Sequence, residues 1–217
     1  MLVSHKYKFI FIKTVKTGST STEIYLEQYC LPPHLLQEEH HCECRVTEEG
    51  IVGSRSSKKL QEYYHHMKPF KIRAKVGADI FDSYQKIANI RNPFDLMVSH
   101  YFFEPTYTKF AGNKKYTFHQ YIMKTDVVSS LSEKTRDFFY LDDVFIVDHI
   151  LRQETLSADL EKLTVDLGLP PSVRVLSNYK ESTERIGKHY SEYYKPLSKA
   201  LVQDHFGWYL DLFGYSF

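Results

Sequence analysis

The sequence of 217 residues has few cysteines and no long apolar run. Its three cysteines, Cys30, Cys42 and Cys44, are an odd number and too few for a disulfide-stabilised scaffold. We therefore expect a protein of a reducing compartment, with the cytoplasm as the predicted location. No apolar stretch approaches the roughly 18 residues of a membrane-spanning helix, and residues 1–8 are too short and polar for a signal peptide. The sequence thus predicts no membrane span and no membrane anchor.

An excess of charge of either sign is also missing. The 28 basic and 27 acidic residues give a formal net charge of +1, which argues against broad electrostatic binding of nucleic acid or of a membrane surface. Any positively charged site must be local. A chain of this length with 42% hydrophobic residues suffices for one well-buried core, so we predict a single domain over residues 1–217. Residues 31–62, polar after two prolines, are predicted to form an irregular insertion.

The most informative stretch is a buried strand followed by a small, basic loop and a helix. Phe9–Ile12 are four consecutive apolar residues, as in a central strand buried on both faces. Thr20 and Glu23 have the spacing of a capping box, which predicts a helix directly after the loop. The loop brings cations and small residues to that helix N-terminus, where backbone N–H groups bind anions. The candidate anion-binding residues are Lys13, Lys16, Thr17, Gly18 and Ser19.

This loop does not follow the Walker pattern of ATP-binding proteins. That pattern ends in Gly-Lys-Ser/Thr, whereas here Lys16 precedes Gly18 and Lys13 stands where the first glycine would be. The alternative interpretation is that Lys13 and Lys16 are solvent-exposed loop cations.

A second strand-to-helix junction ends in a cation. Residues 86–90 are mostly apolar and lead to Arg91, and Asn92-Pro93 then predicts a helix start. Ser99 shares a helix face with Asp95. Ligands of open α/β sheets collect at the carboxyl ends of parallel strands, so Lys16 and Arg91 would face one crevice if their strands are neighbours. The alternative is that Arg91 forms an ordinary surface salt bridge. Further along, residues 142–149 are predicted to form a strand and 156–167 a helix.

Two groups of histidines cannot be assigned by spacing alone. His65 and His66 precede a predicted helix over residues 70–76, where a structural role and a catalytic role both fit. A polar segment carries five potential zinc ligands, but Cys-x-Cys departs from the usual spacing and no matching second pair follows, so no metal is expected. These five residues are His34, His40, His41, Cys42 and Cys44.

The two junctions resemble a known family. Lys-Thr-Gly-Ser-Thr-Ser after a hydrophobic strand, with Ile-Arg-Asn-Pro-Phe-Asp-Leu-Met-Val-Ser further on, is similar to sulfotransferases that use 3′-phosphoadenosine 5′-phosphosulfate. The resemblance is in particular to the branch that includes heparan 2-O-sulfotransferase and many bacterial relatives. The resemblance spans most of the chain and is weak between Pro32 and Tyr63. It implies an α/β fold of the P-loop type, with three layers and a mostly parallel central sheet flanked by helices.

The resemblance also implies roles for individual residues. Arg91 and Ser99 would bind the 3′-phosphate, and Lys180 and Arg185 would lie in a cofactor lid. His66 would be the general base, since family members have a histidine ahead of a short helix. Lys16 would stabilise the charge developing on the departing oxygen, with Lys13 as a further loop cation. The residues implied at the 5′-phosphosulfate are Lys16, Thr17, Gly18, Ser19, Thr20 and Ser21, with Ser19 replacing a frequent second glycine.

The expected function is transfer of a sulfuryl group to an acceptor hydroxyl of a sugar or small molecule, without a metal. Two alternatives stay open. A P-loop-type nucleotide kinase would need a Walker lysine and a magnesium-binding carboxylate, and a non-catalytic nucleotide-binding module would need no base. No pattern identifies the acceptor or the oligomeric state.

Overall fold

The computed structural model describes residues 1–36, 42–55, 61–103, 116–176 and 187–217. The chain divides into two compact units. The first comprises Met1–Ile90 and Asp137–Tyr179, and the second comprises Arg91–Arg136 and Lys180–Phe217. The prediction of one domain over the whole chain stays a prediction.

A six-stranded mixed sheet forms the centre of the first unit. Its strands lie in the order β3-β4-β1-β2-β5-β8, and a separate two-stranded hairpin pairs β6 with β7. The strands are β1 (Leu2–Ser4), β2 (Phe9–Ile12), β3 (Arg45–Val46), β4 (Gly50–Val52), β5 (Gln85–Ile90), β6 (Tyr140–Leu141), β7 (Val144–Phe145) and β8 (His149–Arg152).

The sheet is mixed rather than mostly parallel as predicted. β2 pairs parallel with β5, and β5 with β8, whereas the three pairings among β1, β2, β3 and β4 are antiparallel. The connections β1–β2 and β3–β4 are a few residues long, and a parallel pairing needs a much longer crossover. The α/β class is therefore confirmed, and the parallel part of the sheet is limited to β2, β5 and β8.

Nine α-helices lie in the described ranges. The first unit contains α1, α2, α3 and α7 in addition to its sheet, and the second unit is helical. The helices are α1 (Ser19–Leu26), α2 (Pro69–Val76), α3 (Ala78–Ser83), α4 (Pro93–Phe103), α5 (Phe118–Lys124), α6 (Val127–Arg136), α7 (Leu156–Asp166), α8 (Pro196–His205) and α9 (Gly207–Phe213).

The strand Phe9–Ile12 lies at the heart of the first unit, as predicted. All four of its residues are 0% exposed, and its two backbone edges pair with β1 and β5. Gly50 on β4 is required by close packing, since a Cβ there would overlap the carbonyl oxygens of Val3 and Cys30. The hairpin of β3 and β4 thus extends the sheet where an irregular insertion was predicted.

The strand predicted over residues 142–149 is wrong. Asp142 and Asp143 have φ angles of 51° and 60° and form the turn of the β6–β7 hairpin, and the sheet strand begins at His149. By contrast, the predicted start of α4 is confirmed, because the backbone N–H of Phe94 donates to Asn92 Oδ1 over 3.0 Å.

No helix in the described part of the chain is long and apolar enough to cross a membrane.

Candidate functional site

The loop between β2 and α1 has the backbone conformation of a tight, small-residue turn. Lys16 and Gly18 are both left-handed, with φ angles of 59° and 73°, and Gly18 is the N-cap of α1. Successive N–H groups in such turns line a concave surface suited to anions. The predicted capping box is wrong, because no side chain caps α1 and Glu23 is directed elsewhere.

Hydroxyl groups brace this loop against the neighbouring strand β5. Thr14 Oγ1 donates to the carbonyl oxygen of Asn89 over 2.7 Å, so its 2.7 Å contact with Thr17 must be a bond donated by Thr17. Ser19 Oγ donates to the Thr14 carbonyl over 2.5 Å, and Asn89 Nδ2 donates to Thr22 Oγ1 over 2.8 Å. These bonds fix the loop on the sheet before any ligand arrives.

A buried cluster of charges lies behind the loop. The Glu23 carboxylate forms ion pairs with Lys13 Nζ at 2.5 Å and with the Met1 amine at 2.6 Å. A further ion pair joins Arg55 Nη2 to Glu27 Oε2 at 2.8 Å. None of these five residues is more than 5% exposed. Burial alone would raise the pKa of Glu23, but the charges of Lys13, the amine and Arg55 outweigh burial and lower that pKa to about 2.

Lys13 is therefore not a solvent-exposed loop cation. The residue is 3% exposed, and its ammonium is held by Glu23. Direct contact of Lys13 with a cofactor stays a prediction. Lys16, by comparison, is half-buried and stands at the left-handed position of the loop.

His66 is attached to the start of the same loop. Its Nδ1 lies 3.0 Å from the carbonyl oxygen of Lys13. A carbonyl oxygen can only accept, so Nδ1 carries the hydrogen and the neutral ring keeps its lone pair on Nε2. The ring contacts Phe138 and His65 at centroid distances of 6.5 Å and 5.1 Å, and the backbone of His66 is left-handed, with φ 57°. A general base requires an oriented imidazole with a lone pair on its outer nitrogen, and His66 has that arrangement.

His65 has a similar environment but a different anchor. Its Nδ1 lies 3.1 Å from the carbonyl oxygen of Ser54, away from the loop sequence. Burial lowers the pKa of His65, and burial followed by the charge of Lys13 lowers the pKa of His66 to about 3. The contact that distinguishes the two is the bond of His66 to Lys13.

The depressed pKa of His66 predicts that the protein loses stability in acid. The folded state binds a proton at this ring near pH 3, whereas the unfolded chain binds it near 6.5, so stability falls as the pH drops through that range. The slope from one such group is at most about 1.4 kcal/mol per pH unit. Asparagine tolerates a left-handed backbone, so His66→Asn is a suitable variant. Its free energy of unfolding, measured with urea, should change less between pH 7 and pH 5 than that of the unmodified protein. Parallel curves for the two proteins would contradict this account.

Arg91 in the second unit is an ion-paired and largely buried residue. Its Nε and Nη2 both lie 2.7 Å from Asp95 Oδ2, and its side chain is 12% exposed. The ion pair agrees with the salt-bridge alternative, but its burial does not fit an ordinary surface pair. Ser99 is half-buried one turn further along α4. Binding of a 3′-phosphate by Arg91 and Ser99 stays a prediction.

The strands that precede the two predicted junctions, β2 and β5, are neighbours in the sheet. The two strands are parallel, with Ile12 opposite Ala88, and β8 continues the parallel set. The loop after β2 and the carboxyl end of β5 therefore start from one edge of the sheet. The Gln153 side chain, just after β8, approaches Gly18 so closely that a Cβ there would lie 3.3 Å from Gln153 Cγ.

Several predicted residues lie outside the described residues. These are Lys180 and Arg185 of the predicted lid and His40 and His41 of the histidine-rich segment. Within the ranges that are described, no group of three or more histidine, cysteine or acidic side chains is arranged to hold a metal ion. Burial raises the pKa values of the Cys42 and Cys44 thiols.

Comparison with known proteins finds a similarity to a protein whose function is not described. The chain is 29% identical over 112 residues to an uncharacterized protein of Archaeoglobus fulgidus, a match that spans 52% of this chain and 91% of the relative. No protein-family model matches the chain, and no solved structure matches it. A function for the chain is therefore inferred from its own residues.

Sequence reasoning missed the residues that support the loop from behind. The spacing of Glu23 predicts a helix cap rather than an ion pair. Nothing in the sequence marks Arg55, because its partners are 28 and more residues away. Asn89 did carry one, since it is a polar residue within an apolar strand.

Proposed function

We propose that this protein transfers a sulfuryl group from 3′-phosphoadenosine 5′-phosphosulfate to a hydroxyl group of an acceptor. The observation that carries the proposal is the hydrogen bond from His66 to the Lys13 carbonyl. It joins a base with a free Nε2 lone pair to the first residue of a loop built for anions. A base beside an anion site suits a reaction in which an acceptor loses a proton while an anionic donor is attacked.

The residues of the loop fit the charge of such a cofactor. Backbone N–H groups at the start of α1 and the Lys16 ammonium are hydrogen-bond donors, and anionic phosphate and sulfate oxygens accept from such donors. Residues 16–21 would hold the 5′ end, and Arg91 and Ser99 the 3′-phosphate. The adjacent parallel strands β2, β5 and β8 support the proposal that this part of the chain has a layered fold of the P-loop type.

When bound, the cofactor supplies a sulfuryl group on a phosphate leaving group. His66 then takes the acceptor proton at Nε2, and its Nδ1–H bond to the Lys13 carbonyl stabilises the imidazolium that results. Lys16 stabilises negative charge on the departing phosphate oxygen, for which one preorganised donor contributes roughly 3–4 kcal/mol. In this mechanism Lys13 acts indirectly, through its charge and through its carbonyl oxygen, which binds His66.

The low pKa of His66 is compatible with this role. At pH 7 the ring is neutral and able to accept a proton. Anionic groups bound at the loop favour the protonated ring, so binding raises its pKa towards the working pH. A kinase would instead need a carboxylate for magnesium, and Glu23, which is close in sequence to the loop, is 0% exposed and ion-paired.

Nucleotide binding tests the cofactor assignment. Adenosine 3′,5′-bisphosphate should raise the melting temperature far more than adenosine 5′-phosphate at the same concentration, because Arg91 and Ser99 engage only the former. Differential scanning fluorimetry with adenosine as the control measures both shifts. Equal shifts for the two nucleotides would remove the basis for a 3′-phosphate site.

A further inference from the structure

We propose that Tyr209 and Asn92 are positioning residues that hold the turn carrying Arg91 and thereby set the preference for a 3′-phosphate. The inference concerns the second unit alone and rests on the proposed function. Both residues act through Arg91 rather than by touching the nucleotide.

Tyr209 holds the backbone of Arg91. The Arg91 N–H donates to the Tyr209 hydroxyl over 3.2 Å. Tyr209 lies on α9 and is 0% exposed, and its ring packs against Phe206 and Phe213 at centroid distances of 6.1 Å and 4.6 Å. A hydroxyl on so confined a ring has little freedom to move, so it holds the backbone N–H of Arg91 in place.

Asn92 ties the same turn to the end of the chain. Its Oδ1 accepts the Phe94 N–H, while its Nδ2 donates to the Ser216 carbonyl at 2.8 Å and to the Tyr190 hydroxyl at 3.3 Å. Both ends of the amide are thus bonded to protein, and the residue is 8% exposed. These bonds assign Asn92 to holding the turn rather than to contacting a ligand.

Aromatic packing keeps the segment around Ser216 in place. The Phe217 ring lies edge-on to Phe94 and Tyr194 at 4.9 Å and 5.5 Å, and the Lys199 ammonium lies 4.0 Å from its centroid. Tyr194 in turn donates its hydroxyl hydrogen to the Phe94 carbonyl over 2.9 Å. Residues 190–217 therefore form a scaffold for the Arg91 turn.

Preorganisation links this scaffold to selectivity. Asp95 orients the guanidinium of Arg91, but the guanidinium is placed correctly only if the turn beneath it is fixed. A loosened turn must be ordered when the 3′-phosphate binds, and the cost of ordering is subtracted from affinity. A nucleotide without a 3′-phosphate bears no such cost, so the ratio of the two affinities reports on the turn.

The test compares two variants with a matched control. Tyr209→Phe removes only the hydroxyl, and Asn92→Ser keeps an oxygen to cap α4 but loses the amide donor. The control is Tyr121→Phe, which removes an equally buried hydroxyl of the same unit, bonded to His100 at 2.7 Å. Calorimetry gives the dissociation constants of adenosine 3′,5′-bisphosphate and adenosine 5′-phosphate for each protein.

We expect the preference for the bisphosphate to fall about three- to tenfold in Tyr209→Phe and Asn92→Ser, as for the loss of one hydrogen bond, and to stay unchanged in Tyr121→Phe. Partial unfolding would weaken both nucleotides equally and leave the ratio unaltered. An unchanged ratio in both variants, with a strong preference in the unmodified protein, would overturn the positioning role. Absence of any preference in the unmodified protein would instead overturn the 3′-phosphate assignment of the proposed function.

Discussion

Replacing His66 by asparagine is expected to lower turnover by about 10²–10⁴-fold while leaving the affinity for adenosine 3′,5′-bisphosphate nearly unchanged. The variant lacks the Nε2 lone pair that takes the acceptor proton in the proposed reaction, and asparagine suits the left-handed backbone at this position, where φ is 57°. Because the base serves the acceptor, the loss should appear in kcat rather than in nucleotide binding. Single-turnover transfer and calorimetry measure the two quantities.

His65→Asn is the matched control. Its imidazole is also held through Nδ1 by a backbone carbonyl, but by that of Ser54 and not that of Lys13. We expect this variant to retain most of the turnover. An inactive His65→Asn protein beside a nearly normal His66→Asn protein would contradict the assignment of the base.

Replacing Glu23 by alanine is expected to lower the free energy of unfolding by roughly 3–5 kcal/mol. Glu23 is the carboxylate that Lys13 and the Met1 amine share, and it lies 3.8 Å from Arg55. Its removal leaves these cations buried without that counter-charge. Urea unfolding at pH 7 measures the loss, and the midpoint should shift while the slope stays the same.

Asp82→Ala is the control for charge removal. Asp82 forms a two-point ion pair with Arg73 at 3.0 Å and 2.8 Å, but both side chains are exposed, so its loss should change stability little. Similar unfolding midpoints for Glu23→Ala and Asp82→Ala would contradict the stabilising role of the buried charge cluster.

The parts of the fold that sequence predicts are those with strong local patterns. Four apolar residues at Phe9–Ile12 indicated the central strand, Asn92-Pro93 indicated the start of α4, and residues 70–76 fall within α2. In each case the residues that determine the element are adjacent in the chain. Periodicity and capping chemistry then suffice.

The mixed topology could not be predicted in this way. β1 has three residues and β3 has two, too few for any hydrophobic period, and β1 also pairs antiparallel with β4, which lies far along the chain. The error at residues 142–149 has a local cause, because Asp142 and Asp143 form a left-handed hairpin turn without the glycine that usually marks such a turn in a sequence.

For the candidate site, sequence supplied the loop and the histidine but not their connection. The bond between His66 and Lys13 joins residues 53 positions apart, and the cluster of Glu23 and Arg55 is similarly non-local. Such contacts depend on the folded sheet. Residue types alone indicate which chemical groups are present, whereas the structure indicates which of these groups lie together.

Transfer of radioactive sulfur tests the central claim most directly. The full chain would be incubated with 3′-phosphoadenosine 5′-[³⁵S]phosphosulfate and cell extract of the source organism, in the presence of a chelator. We predict that label passes to an acceptor as the 3′,5′-bisphosphate accumulates, and that His66→Asn abolishes most of it. No transfer above a heat-inactivated control, together with transfer of the γ-phosphate of ATP when magnesium is supplied, would contradict the claim.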